Sequence, residues 1–233
     1  LGRLVGSEMC IRDSSYTDAF FESVSGITTT GATVINNLEN LSEGILIWRS
    51  LLQWFGGIGI IVLAMAILPT LQIGGMQLLH MEHDDPYEKT IPKVNRFVIE
   101  LFLLYVFLSV ICAFLYFVNG MKGFDSIIHA MTTISTGGFS NYDESFLYFN
   151  SYKLESISII FMLVGSLPFV LYLQFLHNQK KLIFKDDQIK LFFLILFIII
   201  FLTTVWLTTN QSIYTISAFR IALFNITSIL TGT

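Results

Sequence analysis

The 233-residue sequence predicts an all-α integral membrane protein assembled from repeated units of helix, re-entrant pore loop and helix. Three observations carry the prediction. The chain is too apolar for a soluble domain, its apolar runs alternate between spanning and sub-spanning lengths, and a segment rich in threonine and glycine is written three times.

The composition comes first. Hydrophobic residues make up 54% of the chain and charged residues 13%, whereas soluble domains hold about 45–50% apolar and about 25% charged residues. Twenty-two phenylalanines and an aromatic share of 15% suit lipid-facing helices with Trp and Tyr near the interfaces. The net charge of −4 says little about partners and gives no basis for a nucleic-acid-binding role. Cys10 and Cys112 are the only cysteines, which excludes a disulfide framework or a cysteine metal site.

Residues 1–14 mix Arg3, Glu8, Arg12 and Asp13 without the layout of a signal peptide or the length of a span, so they read as a non-native segment. Four apolar runs, 45–68, 97–118, 154–176 and 191–207, have the roughly 17–25 residues that a spanning helix needs. The first is interrupted only by Arg49 and Gln53 near its start. Three shorter runs of roughly ten residues, 19–27, 126–134 and 217–226, are too short to cross and read as re-entrant pore helices.

The order of parts repeats. Aligning Asp18 with Asp125 sets Gly31 opposite Gly138 and brings Gly57 near Gly165, and a third copy fits when Thr233 matches Thr30. The resulting period of about 100 residues divides the chain into a first unit at 15–96 (pore loop, inner helix and connection), a complete second unit at 97–190, and a partial third at 191–233. Both ends read as those of a fragment. Lys89, Lys93 and Arg96 follow the first span and Lys180, Lys181, Lys185 and Lys190 follow the third, so these connections are expected in the cytoplasm and the pore loops, with Asn141, outside.

Each short run leads into small hydroxylated residues and glycine: Thr28, Thr29, Thr30 and Gly31, then Ser135, Thr136, Gly137 and Gly138, then Thr231, Gly232 and Thr233. Irregular backbone at membrane depth is tolerated only where it is buried in protein or lines a water-filled cavity. Such segments suit an ion path lined by carbonyl oxygens, and each pore helix aims its partially negative C-terminus at the path, which favours a cation. Glycine suits positions of positive φ, where an ordinary residue pays roughly 1–2 kcal/mol. Glu22, His129 and Asn225 take equivalent places in the three short helices and read as a polar ring supporting the loops through hydrogen bonds.

Four stretches carry a family resemblance: Ser25-Gly26-Ile27-Thr28-Thr29-Thr30-Gly31-Ala32; Gln53-Trp54-Phe55-Gly56-Gly57-Ile58-Gly59 leading to Leu68-Pro69; His129-Ala130-Met131-Thr132-Thr133-Ile134-Ser135-Thr136-Gly137-Gly138-Phe139-Ser140; and Phe224-Asn225. In this order and spacing they resemble the Trk/Ktr/HKT superfamily of potassium transport proteins, and within it the bacterial membrane subunits of the TrkH/TrkG type. The resemblance covers nearly everything after Ser14. It implies repeats closed around a pseudo-fourfold pore, here truncated, with potassium as the transported ion held at the Thr/Gly residues, no cofactor and no covalent chemistry. It further implies a multi-pass protein of the bacterial inner membrane, a homodimer, and a cytosolic nucleotide-binding regulatory subunit facing the lysine-bearing loops. A sodium-conducting or ion-coupled member of the superfamily remains open.

Competing readings are weaker. Thr and Gly often serve helix packing in membranes, but repetition after matching short helices argues for a lining role. Gly56, Gly57 and Gly59 fit close packing, since their spacing is not that of a nucleotide loop. Gly165 with Pro168 reads as a static kink. Ser25 with His129 resembles an intramembrane serine protease dyad only superficially. His80, Glu82, His83, Asp84 and Asp85 read as a solvated turn, not a metal site.

Overall fold

The computed structural model describes residues 16–71, 90–168, 171–172, 187–211 and 214–233. The segment 1–14, the histidine-rich turn at 80–85 and most of the lysine-bearing connections lie outside the described residues. Among those described are seven α-helices, two short 3₁₀ helices and no strand. The helices are α1 (Tyr16–Ile27), α2 (Glu43–Leu71), α3 (Thr90–Val118), α4 (Gly123–Ile134), α5 (Tyr152–Ser166), α6 (Asp187–Asn210) and α7 (Thr215–Thr231).

At 1.5 Å per residue, α1 and α4, with 12 residues each, reach about 18 Å, short of the roughly 30 Å hydrocarbon core. Two stretches, Val98–Val118 and Asp187–Asn210, are long and apolar enough to cross it. The third short helix, α7, extends to 17 residues, well beyond the expected run. The expected span 154–176 is not one continuous helix. Leu167 takes an extended conformation, φ −75° and ψ 146°, because a residue before proline is sterically barred from the helical region, so α5 stops at Ser166 ahead of Pro168.

Each of α1, α4 and α7 packs on helices adjacent in the chain: α1 on α2, α4 on both α3 and α5, and α7 on α6. Further contacts join helices that lie apart in the chain, α2 with α4 and α5 with α7. The main core gathers Ile58, Leu101, Tyr105, Tyr116, Ile134 and Phe161 from these helices.

Helix α3 is apolar all round, and its two faces part by chemistry. The buried face carries Leu101, Tyr105, Ser109, Cys112 and Tyr116, whereas Leu103, Phe107, Val110, Phe114 and Phe117 are exposed. Polar atoms turn inward to partners: Tyr105 donates to the Trp54 carbonyl at 3.0 Å, Trp54 Nε1 donates to Ser109 Oγ at 3.0 Å, and Tyr116 Oη lies 3.1 Å from Thr133 Oγ1. A bilayer offers such atoms no alternative partner.

Candidate functional site

Two of the three short helices end in the same backbone device, and the third in a variant of it in which the Gly232 N–H bonds the Ser228 carbonyl. Helix α1 closes with a bond from Thr30 N–H to the Ser25 carbonyl (3.0 Å) and one from Thr29 N–H to the Gly26 carbonyl (3.0 Å). Helix α4 repeats it, with Gly137 N–H to Thr132 (2.9 Å) and Thr136 N–H to Thr133 (3.1 Å), and α7 repeats the outer bond, Thr233 N–H to Ser228 (3.0 Å). This 6→1 and 5→2 pairing is a Schellman cap, which places its C′ residue in the left-handed region. The C′ residues are Thr29 (φ 56°), Thr136 (φ 52°) and Gly232 (φ 77°). They align with Thr233 matched to Thr30, as the sequence register expects.

Two of these positions hold threonine, a β-branched residue for which positive φ is unusual. Each partly offsets the strain locally: Thr29 donates its hydroxyl to the Thr28 carbonyl at 2.7 Å, and Thr136 donates to that of Ser135 at 2.8 Å. Two residues further on the backbone is left-handed again, at Gly31 (φ 77°) and Gly138 (φ 73°). A side chain there meets a second obstacle besides the dihedral. A Cβ on Gly31 falls on the Gly137 carbonyl oxygen, and one on Gly138 lies 2.5 Å from the carbonyl carbon of Thr233. Gly137 and Thr233 are equivalent positions, so each loop abuts the next in the same way.

The device leaves several carbonyls over. Among the described residues, no hydrogen bond reaches the carbonyl oxygens of Thr29, Thr30, Gly31, Thr136 or Gly138. These five carbonyls lie beside three helix C-termini of partial negative charge.

Behind the first two loops lies a buried charge cluster. Glu22 and Arg49 form an ion pair (2.7 Å) with side chains 6% and 4% exposed. Arg49 also donates to the Ser140 carbonyl (3.2 Å) and to Thr33 Oγ1 (3.2 Å) and lies 4.2 Å over the Phe139 ring. Glu22 accepts from the Thr33 hydroxyl (2.9 Å) and the Val34 N–H (3.2 Å). The cluster joins α1, α2 and the chain leaving both loops, and borders a cleft of about 300 Å³ lined by Gly31, Thr33, Gly138, Ser140 and Asp143. On the rim Asp143 accepts from the N–H groups of Asn37 and Leu38 (2.9 and 3.0 Å). Asp125 accepts from Asn141 and from the Tyr142 hydroxyl, both at 2.8 Å. Burial first, and the Asp125 carboxylate next, push the Tyr142 phenol above its ordinary value and keep it a donor.

The expected polar ring of Glu22, His129 and Asn225 does not form. Glu22 alone holds a loop. His129 is buried between Phe146 and Phe149, with ring centroids 5.8 and 5.2 Å away, and its Nε2 has no partner among the described residues. Asn225 is exposed and donates to the Ile221 carbonyl of its own helix. An apolar pocket and a helix carbonyl, respectively, meet these two side chains before any loop does. Nor do Ser25 and His129 form a dyad, since Ser25 Oγ donates to the Ala32 carbonyl at 2.5 Å and the two residues sit on different pore helices.

Arg49 and Gln53 were visible only as interruptions of an apolar run. Their spacing of four places both on one face of α2, and polar groups inside a span demand partners, which is the signal that marks them. Glu155 and Arg220 are a second such pair: Arg220 donates to both carboxylate oxygens (2.6 and 2.5 Å), ties α7 to α5 and stacks 3.6 Å over Tyr152. Of the three glycines of α2 expected to pack closely, Gly56 and Gly57 do, in a shifted register, whereas Gly59 has open space around it. A Cβ on Gly56 collides with the Ile27 carbonyl, and one on Gly165 lies 2.9 Å from the Ile134 carbonyl. Ile27 and Ile134 are equivalent, so Gly56, not Gly57, corresponds to Gly165. Gly57 instead faces Ser135 of the next loop.

A model of the TrkH family, described as cation transport protein, matches residues 7–231. The Trk system potassium uptake protein TrkI of Halomonas elongata is 40% identical over 220 residues, covering 94% of this chain and 44% of the relative. TrkH of Escherichia coli K12 is 45% identical over 179 residues, 76% of this chain and 37% of the relative. The crystal structure of the potassium transporter TrkH from Vibrio parahaemolyticus superposes with a TM-score of 0.81 at 39% identity, over 93% of this chain and 44% of that one. The chain thus spans less than half the length of the relatives it matches.

Proposed function

We infer the function from one premise: the chain belongs to the TrkH family of cation transport proteins. It is part of a membrane protein that moves potassium inward through a narrow path lined by backbone carbonyls. The observation that carries this reading is the set of unpartnered carbonyls at Thr29, Thr30, Gly31, Thr136 and Gly138 on loops of one backbone shape that abut one another. Thr28, Ser135, Gly137, Thr231, Gly232 and Thr233 complete the lining segments, and Glu22 supports the first. A dehydrated cation recovers its lost water contacts from such oxygens, and no bond is made or broken.

The names of the relatives support potassium as the substrate. With the family resemblance, they extend the proposal to a multi-pass protein of the bacterial inner membrane, a homodimer, and a cytosolic nucleotide-binding regulatory subunit facing the connections that carry Lys89, Lys93 and Arg96 and Lys180, Lys181, Lys185 and Lys190. Copurification of the full-length protein with such a subunit tests the last point.

The transport reading is tested with Gly31→Ser and Gly138→Ser in the full-length protein, expressed in a strain lacking other potassium importers. A hundredfold preference for potassium over sodium corresponds to only about 2.7 kcal/mol, so one displaced segment removes most of it. Loss of potassium-dependent growth with gain of sodium uptake is the expected result. Unchanged selectivity in both variants rejects the lining assignment, and a parent that prefers sodium identifies a sodium-conducting relative instead.

A further inference from the structure

The three loops differ at one equivalent position. Loops one and three carry Thr30 and Thr233, whose hydroxyls pair with those of Thr28 (2.8 Å) and Thr231 (2.9 Å), so each loop is braced by its own side chains. Loop two has Gly137 there and no side chain for the task. The space is filled from another unit. A Cβ on Gly137 would lie 2.6 Å from Oε1 and 2.8 Å from Nε2 of Gln53, a fully buried residue of α2.

The Gln53 carboxamide also bonds the loop on both sides of Gly138. Its Nε2 donates to the Gly137 carbonyl at 2.7 Å, and its Oε1 accepts from the Phe139 N–H at 3.1 Å. These partners settle the amide orientation, because the flipped form sets oxygen against oxygen and N–H against N–H. The next inner helix offers the contrast. With Gly56 matched to Gly165, Gln53 corresponds to Met162, a buried apolar residue on the helix that packs on α7. Where the neighbouring inner helix has no amide, the loop it faces keeps its threonine.

We propose that Gln53 is a selectivity-determining positioning residue, its carboxamide replacing across the unit boundary the side-chain brace that loop two lacks at Gly137. The proposal rests on the potassium-uptake reading above. The clamp spans the left-handed Gly138 and holds the peptide planes on either side of it, so it governs which way the carbonyls of loop two face. Without it the Gly137 carbonyl and Phe139 N–H are buried without partners, and a peptide flip that rehydrates them is favoured. Gln53 touches no ion.

The test uses the full-length protein in the importer-deficient strain, with folded amount read by size-exclusion of detergent extracts and potassium-over-sodium preference read per folded molecule. Gln53→Ala and the near-isosteric Gln53→Glu, which lacks the donor to Gly137, are each expected to lower that preference at least tenfold. Leu101→Ala, a core substitution in α3, reduces folded amount while keeping the preference. Gly137→Thr alone collides with Gln53, whereas Gln53→Ala with Gly137→Thr rebuilds the bracing of loops one and three and recovers preference beyond either single change, a non-additive result. A preference within twofold of the parent in either folded Gln53 variant overturns the proposal. So does failure of both to fold, which makes Gln53 a core residue, and so does a double variant no better than Gln53→Ala, which removes the bracing role. A parent without potassium preference instead rejects the transport reading itself.

Discussion

Replacing Arg49 with methionine strands the Glu22 carboxylate in a site from which water is almost excluded. Removing one member of a buried ion pair destabilises by about 3–5 kcal/mol, since the other charge stays buried without compensation. Here the Thr33 hydroxyl and the Val34 N–H still donate to Glu22, which holds the cost near the lower end, about 3 kcal/mol. The entropy of unfolding grows with chain length, and the full-length relatives are about twice as long as this chain, so the melting midpoint falls by roughly 3–6 °C, half the shift expected for a domain of about 150–250 residues. The assay is thermal denaturation of the purified full-length protein in detergent, followed by size-exclusion. Removing both charges, Glu22→Gln with Arg49→Met, leaves no bare carboxylate and recovers most of the loss, because apolar replacement of a whole buried pair is often near neutral. Potassium preference should fall in the single variant, since the Arg49 bond to the Ser140 carbonyl ends with it. An Arg49→Met midpoint within about 1 °C of the parent, a shift worth at most about 1 kcal/mol at that length, refutes the reasoning. So does a double variant as unstable as the single one.

Three further outcomes are expected. Gly56→Ala and Gly165→Ala drive a methyl into the Ile27 and Ile134 carbonyls and should each cost about 1–3 kcal/mol of stability, whereas Gly59→Ala, with open space around it, should be neutral in the same melting assay. Thr29→Gly or Thr136→Gly relieves left-handed strain worth roughly 1–2 kcal/mol, so both should fold in at least parental yield; a large loss of folded protein in either would show that the threonine hydroxyl outweighs the strain. In a cysteine-free background, single cysteines at Lys89 and Lys181 should resist an impermeant maleimide in intact cells while one at Glu144 reacts. Glu144 is exposed, whereas Asn141 is buried against Asp125 and makes a poor external reporter. Labelling at either lysine position reverses the orientation.

Local chemistry made much of the fold legible in the amino-acid order. Run length separates spanning helices from short ones because rise per residue and bilayer thickness are fixed quantities, and glycine after each short helix points to positive φ, which Gly31, Gly138 and Gly232 adopt, although the left-handed threonines Thr29 and Thr136 were not legible. The register of the third copy, with Thr233 on Thr30, is local information of the same kind, and so is the break before Pro168, although the run itself reads as a continuous span. Contacts between units are another matter. Helix α3 is apolar on every side, so hydropathy does not distinguish the face bearing Leu103 and Phe107 from the one bearing Leu101 and Tyr105; packing against α4 decides it. Glu22, His129 and Asn225 occupy one position in the repeat and have three different surroundings, because each meets a different side chain or carbonyl nearby: Arg49, the Phe146 and Phe149 rings, and the Ile221 carbonyl. The partners of Arg49 and Gln53 lie 91 and 84 residues away, at Ser140 and Gly137. Sequence announces that such polar residues in an apolar helix need partners; only the folded arrangement of one unit against the next chooses them, since hydrogen bonds reach about 3 Å in space whatever the separation along the chain.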